Sequence, residues 1–228
     1  MRKITKVLFK EVIYLMQKDF LLEWRQKYAF NGMLLYVSST VFVCYLSFGL
    51  RSNALQVPVW NALFWIILLF TSVNAIAKSF MQENRGRLLY FYSIVSPQGI
   101  ILAKILYNAC LMLVLALICF GFYAFVLGNP VQDIPMFLLS ILLGAIGFAT
   151  SLTMISGIAS KAANSSTLMA VLSFPVIVPM LLMLIKMSKN AMDGLERAAS
   201  LDELLTLLAI NMIVVTVSYI LFPYLWRS

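Results

Sequence analysis

Residues 100–127 read IILAKILYNACLMLVLALICFGFYAFVL, an apolar run in which Lys104 is the only charge. A helix rising 1.5 Å per residue needs roughly 20 such residues to cross about 30 Å of hydrocarbon, so this stretch by itself predicts a membrane span. Five further segments pass the same test, at about 29–50, 57–79, 134–159, 167–187 and 204–225. What separates them is polar or helix-breaking: Arg51 to Gln56, Gln82 to Gln98, Gly128-Asn129-Pro130, Ser160 to Ser166 and Ser188 to Glu203. The expected fold is an all-α polytopic membrane protein of six transmembrane helices, with residues 1–28 ahead of a transmembrane domain over 29–228.

Composition agrees. Of 228 residues 62% are apolar and 11% charged, more apolar surface than one soluble core of that size can hide. No soluble part remains that could house a catalytic centre. The chain has no histidine, and Cys44, Cys110 and Cys119 each sit in an apolar run without C-x-x-C spacing. That removes the usual zinc sites, Cys–His nucleophiles and histidine ligation of haem iron, and leaves the cysteines as small hydrophobes. Paired carboxylates, H-E-x-x-H and the G-x-x-x-x-G-K-[ST] phosphate cradle are missing, so the chain is not expected to be an enzyme. Work driven by ATP would need the nucleotide on another chain. The polar residues inside the spans, Asn61, Asn74, Asn108 and Asn211, carry no charge, which argues against a proton- or ion-coupled carrier.

The net charge of +8 comes from 17 lysines and arginines set beside the spans, so topology explains it better than nucleic-acid binding does. With six spans both termini share a side. That side carries Arg2, Lys3, Lys6, Lys10, Lys18, Arg25, Lys27, Lys78, Arg85, Arg87, Lys104, Lys161 and Arg227, against Arg51, Lys186, Lys189 and Arg197 on the other. Cytoplasmic flanks hold the excess of cations, so both termini are expected in the cytoplasm.

Segments outside the spans have patterns of their own. Residues 4–24 place Ile4, Val7, Leu8, Val12, Leu15, Met16, Phe20 and Trp24 at helical spacing, which fits an interfacial helix on the inner leaflet or a basic juxtamembrane anchor. Lys189 to Glu203 suits a short helix at the outer surface. The inner loop, about 80–99, begins with a charged head at Glu83, Arg85, Gly86 and Arg87. It continues through Leu88, Leu89, Phe91, Tyr92 and Val95 to Ser96-Pro97. This describes a short amphipathic helix that stops before proline and either rests on the membrane or enters a cleft on a cytoplasmic partner. In the fourth span Ser140, Gly144, Gly147 and Ser151 form a ridge for close helix approach, within the chain or to a second copy. In the fifth, Pro175 and Pro179 remove two backbone donors and should bend or interrupt the helix, as a pathway lining or a plain kink.

These features in this order resemble the membrane subunits of ABC-2 type transporters. The resemblance rests on the N-terminal helix, the six spans, Glu83 with Arg85-Gly86-Arg87-Leu88, and Ser96-Pro97 followed by Ile101-Leu102-Ala103-Lys104. It narrows, over nearly the whole chain, to the haem exporter protein B family of cytochrome c maturation. The residues that carry it are Lys18-Asp19-Phe20-Leu21-Leu22-Glu23-Trp24-Arg25, the Ser96-Pro97 loop, Ile155-Ser156-Gly157-Ile158-Ala159 and Phe174-Pro175-Val176-Ile177-Val178-Pro179. The resemblance implies a permease subunit in a bacterial inner membrane, with residues 80–99 as the coupling loop seated in a cytoplasmic ABC ATPase. Glu83, Arg85, Gly86, Arg87, Leu88, Ser96 and Pro97 would form that interface. It implies as partners haem exporter protein C, a periplasmic haem chaperone and a second copy of the chain, with haem as a transferred ligand and no cofactor held by this chain. Arg85 and Arg87 depart from the more acidic loop of many relatives. The rival readings are an ABC-2 permease for a lipid or glycolipid and a non-transporting scaffold for cytochrome c assembly factors.

Overall fold

In the computed structural model, which describes residues 2–26, 28–49, 55–76, 80, 95–160 and 165–227, the regular elements are helices, and no strand occurs among the described residues. The chain runs α1 (Arg2–Gln26), α2 (Tyr28–Cys44) continued by a π-helical turn (Tyr45–Gly49), α3 (Val57–Ile76), α4 (Pro97–Leu127), α5 (Ile134–Ala159) and α6 (Ser165–Met192). A 3-10 turn (Arg197–Ser200) then leads into α7 (Leu201–Arg227). Six stretches are long and apolar enough to cross a membrane, from Phe30–Phe48 in the first to Arg197–Leu225 in the last. The protein is an all-α multi-pass membrane protein, as expected.

The bundle is organised around α5, the most buried span, which packs against α4, α6 and α7. Its small residues make this possible. A Cβ on Gly144 would stand 2.7 Å from the Trp65 ring, and one on Gly147 would meet Met180 Sδ and Asn211 Oδ1. The ridge predicted at Ser140, Gly144, Gly147 and Ser151 therefore meets helices of its own chain. In lipid there is no hydrophobic force pulling helices together, so close van der Waals approach and interhelical hydrogen bonds carry association. Both are present. Trp60, Phe64, Tyr123 and Phe137 interlock, with Trp60 and Tyr123 centroids 4.6 Å apart. Asn108 Nδ2 donates to Thr153 Oγ1 at 2.8 Å between α4 and α5. Asn211 Nδ2 donates to Leu143 O at 3.3 Å between α7 and α5.

A second polar knot joins α3 to α6. Asn61 Nδ2 donates to Ile185 O at 2.8 Å, and Trp65 Nε1 donates to Ser188 Oγ at 2.8 Å. The Ser188 hydroxyl itself lies within donating distance of Leu184 O and Asn61 Oδ1. Ser188 was expected to open the outer segment. It is instead a buried residue of α6, which continues to Met192 because this serine spends its hydrogen-bonding capacity inside the bundle. The 189–203 segment thus contains the end of α6, the 3-10 turn and the start of α7, in place of one separate surface helix. Asp133 ties that rim together: Oδ1 caps Met136 N at 3.2 Å, and Arg197 clamps the carboxylate from Nε at 2.8 Å and Nη2 at 3.2 Å.

Candidate functional site

At the opposite rim, α4 begins with a complete capping arrangement. Ser96 is the N-cap with extended backbone (φ −68°, ψ 136°), its Oγ accepts from Gly99 N at 3.2 Å, and Pro97 occupies the first turn. Proline suits that place because its fixed φ is already helical and its missing N–H would have no helical partner. Ser96 and Pro97, expected as loop residues contacting an ATPase, are thus the first turn of a spanning helix. α4 has 31 residues, about 46 Å at 1.5 Å per residue, which exceeds the roughly 30 Å of hydrocarbon. Its first turns stand at this rim.

Those turns are what α1 packs on. Glu11 reaches Ser96 and Gly99, and nine residues later Phe20 meets Tyr107 edge-on at 5.1 Å, so α1 runs parallel to the start of α4. The apolar positions of α1 do not share one face. Val12, Leu15 and Met16 turn toward the bundle and Phe20 leans its ring on Tyr107, while Trp24, 75% exposed, turns away together with Phe9, Tyr14 and Leu21. The helix is apolar on two sides, with Lys10, Gln17 and Arg25 exposed between the outward residues. Its end is joined to α2 by the Glu23 carboxylate, which accepts from Phe30 N at 2.8 Å.

A small cluster separate from the main core closes this corner: Phe80, Ile100, Ile101, Ile105 and Phe222, with Leu15 and Val95 packed against it. The Phe80 and Phe222 rings are 5.5 Å apart, and Lys104 Nζ lies 4.9 Å above Phe80, within cation–π range. Gly157 of α5 leaves room for Phe222, whose ring a Cβ would approach to 3.2 Å. Both flanks of the 81–94 segment, Phe80 and Val95, are therefore set in one patch built from α1, α4 and α7. The expected interface residues Glu83, Arg85, Gly86, Arg87 and Leu88 lie outside the described residues.

The proline pair needs a correction. Pro175 and Pro179 lie inside α6, which continues as helix through both of them, so of the bend or interruption expected there the interruption does not occur. Four residues apart, they share one exposed strip with Val171 and Phe174, while Ile177, Met180 and Leu184 are buried on the other side. The donors lost to proline fall on the outward strip, and packing holds the inner strip. Sequence reasoning also missed an ionised group in the bundle. Glu203, 2% exposed, pairs with Lys186 at 2.5 Å, and its Oε2 has no hydrogen-bond partner among the described residues. The readable signal was a lysine ending one span and a glutamate opening the next.

No group of His, Cys, Asp or Glu side chains that could hold a metal ion occurs among the described residues. One corner gathers α1, α4, α7 and both flanks of the 81–94 segment. Comparison with protein-family models finds a match to the family described as CcmB protein over residues 10–223. No curated protein and no solved structure matches the chain.

Proposed function

The chain belongs to the CcmB protein family, membrane components of haem export in cytochrome c maturation, and from that premise we propose that it is the permease subunit of an ABC transporter complex driven by a separate cytoplasmic ATPase. The observation that carries this reading is the seating of Phe80 and Val95 in one patch with Leu15 of α1, Ile101 of α4 and Phe222 of α7. A loop whose two flanks are set in the same patch passes its displacement to several spans at once.

The mechanism follows from that geometry. Nucleotide-driven movement of the ATPase displaces residues 82–96. The shift enters α4 at Ser96-Pro97, reaches α7 through the Phe80–Phe222 contact, and bears on α5 at Gly157, the close approach under Phe222. Helices that meet through interdigitated side chains repack between discrete arrangements and do not deform smoothly, so a push at one corner changes the bundle as a unit. The rim bearing Ser96 is cytoplasmic, the Asp133 rim faces the periplasm, and the complex lies in a bacterial inner membrane. Haem is the ligand transferred, and haem exporter protein C, a periplasmic haem chaperone and a second copy of this chain are its partners. Glu83, Arg85, Gly86, Arg87 and Leu88 meet the ATPase. Co-purification of the ATPase with the Gly86→Pro or Leu88→Asp chain tests this: association and ATPase stimulation should fall together, and both remaining at wild-type level would remove the loop from the mechanism.

A further inference from the structure

One contact at the candidate site is not explained by capping alone. Ser96 Oγ donates to Glu11 Oε2 at 2.6 Å, while the same oxygen accepts from Gly99 N. The two residues are 85 positions apart. The carboxylate also sits at the N-terminus of a 31-residue helix, where the partial positive charge of the unpaired backbone N–H groups favours an anion. Gly99 makes the approach possible, because a Cβ there would stand 2.9 Å from Ser96 Oγ and 3.0 Å from Glu11 Oε2. Capping needs only the serine. The glycine and the glutamate are accounted for by a second task, holding α1 at the point where the loop passes into α4.

We propose that Glu11 is a positioning residue: with Ser96 and Gly99 it latches α1 to the start of α4, so that the helix and the loop exit move as one body. The proposal rests on the coupling role assigned above and adds the part by which α1 takes part in it. The Phe20–Tyr107 contact holds the other end of the shared run, which makes the Glu11 end the one that a displacement of the loop loads first. Apolar contacts at Val12 and Leu15 resist separation but slide, whereas a carboxylate held by a cap hydroxyl fixes register.

The test uses spin labels at Tyr14→Cys on α1 and Leu106→Cys on α4, both exposed positions, in the full chain in nanodiscs with the partly buried Cys110 replaced by serine. The latched pair should give one narrow distance distribution. Glu11→Ala and Gly99→Val should each broaden it, with released α1 rising about ten-fold, the effect that one charge-assisted hydrogen bond at a half-buried position supports. Glu11→Gln, which still accepts from the serine, should restore most of the narrow distribution. In the assembled complex Glu11→Ala should keep the ATPase bound yet lower its stimulation, a separation that simple misfolding would not produce. A distribution as narrow in Glu11→Ala as in wild type, or an unchanged stimulation, overturns the latch. A wild-type chain that binds no ATPase would instead count against the coupling role, while the label pair still reads the latch in the chain alone.

Discussion

Replacing Gly144 by alanine tests the packing account most sharply. Its Cβ would stand 2.7 and 2.9 Å from two atoms of the Trp65 ring and 3.2 Å from Leu184, where ordinary contacts begin near 3.4 Å. The ring would therefore have to retreat about 0.7 Å, the difference between 3.4 and 2.7. It is poorly free to do so, being fully buried and bonded through Nε1 to Ser188. Overpacking a tight core costs roughly 1–3 kcal/mol, and a rigid, hydrogen-bonded ring belongs near the top of that range. Against this, alanine gains up to about 1 kcal/mol over glycine in a helix, leaving a net loss of about 2 kcal/mol. Gly121, with nothing within 4 Å of its Cβ, should show the gain alone, so the two variants should differ by about 3 kcal/mol. Unfolding in mixed micelles, followed by far-UV circular dichroism, measures both. Adding Trp65→Phe, which removes the offending ring atoms, should make the double variant less destabilised than the sum of its parts. A Gly144→Ala protein as stable as wild type, or strict additivity with Trp65→Phe, would refute the argument.

Three other outcomes follow from the polar groups. Asn61→Leu removes the donor to Ile185 O and should cost about 0.5–2 kcal/mol in the same assay, since interhelical hydrogen bonds in membranes are worth that order. Lys186→Ala leaves Glu203 buried without its cation and should lower the melting temperature more than Glu203→Gln does, with the double variant recovering part of the loss. The Asp133 carboxyl is held below the usual carboxylate range, first by the hydrogen bond from Arg197 and also by that from Met136 N. A depressed folded-state pKa adds stability that is present above the unfolded value near 3.8 and fades as pH falls through the folded one. Wild-type melting temperature should therefore decline more steeply below about pH 4 than that of Asp133→Asn.

The spans were legible because the bilayer imposes a length and a polarity that few other environments demand. The fourth, at 134–159, coincides with α5, where Gly128-Asn129-Pro130 ends the preceding apolar run and Asp133 caps the new helix. The fifth, expected to end at 187 with Ser188 opening a polar separator, runs on to Met192, because Ser188 bonds within the bundle. Polarity read along one helix does not reveal a partner on another. The same limit applies at the candidate site. Ser96-Pro97 signals a helix boundary equally well as an end or a start, and the cap to Gly99 decides for the start. Glu11 carried no signal at all, because its meaning depends on a serine brought near by the fold. The apolar spacing of α1 predicted a helix correctly, yet not that its apolar residues divide between the bundle and the outside.

An ATPase seated on the inner loop, at the rim that carries Ser96, would cover Arg87. The direct measurement is labelling of Arg87→Cys by a membrane-impermeant maleimide in inside-out vesicles, with and without the ATPase, in a chain that also carries Cys110→Ser; the native Cys44 and Cys119 are buried, Cys110 only in part. Labelling that is strong for the chain alone and suppressed when the ATPase is bound is the predicted result. Equal labelling in both states, or labelling only in right-side-out vesicles, would contradict it.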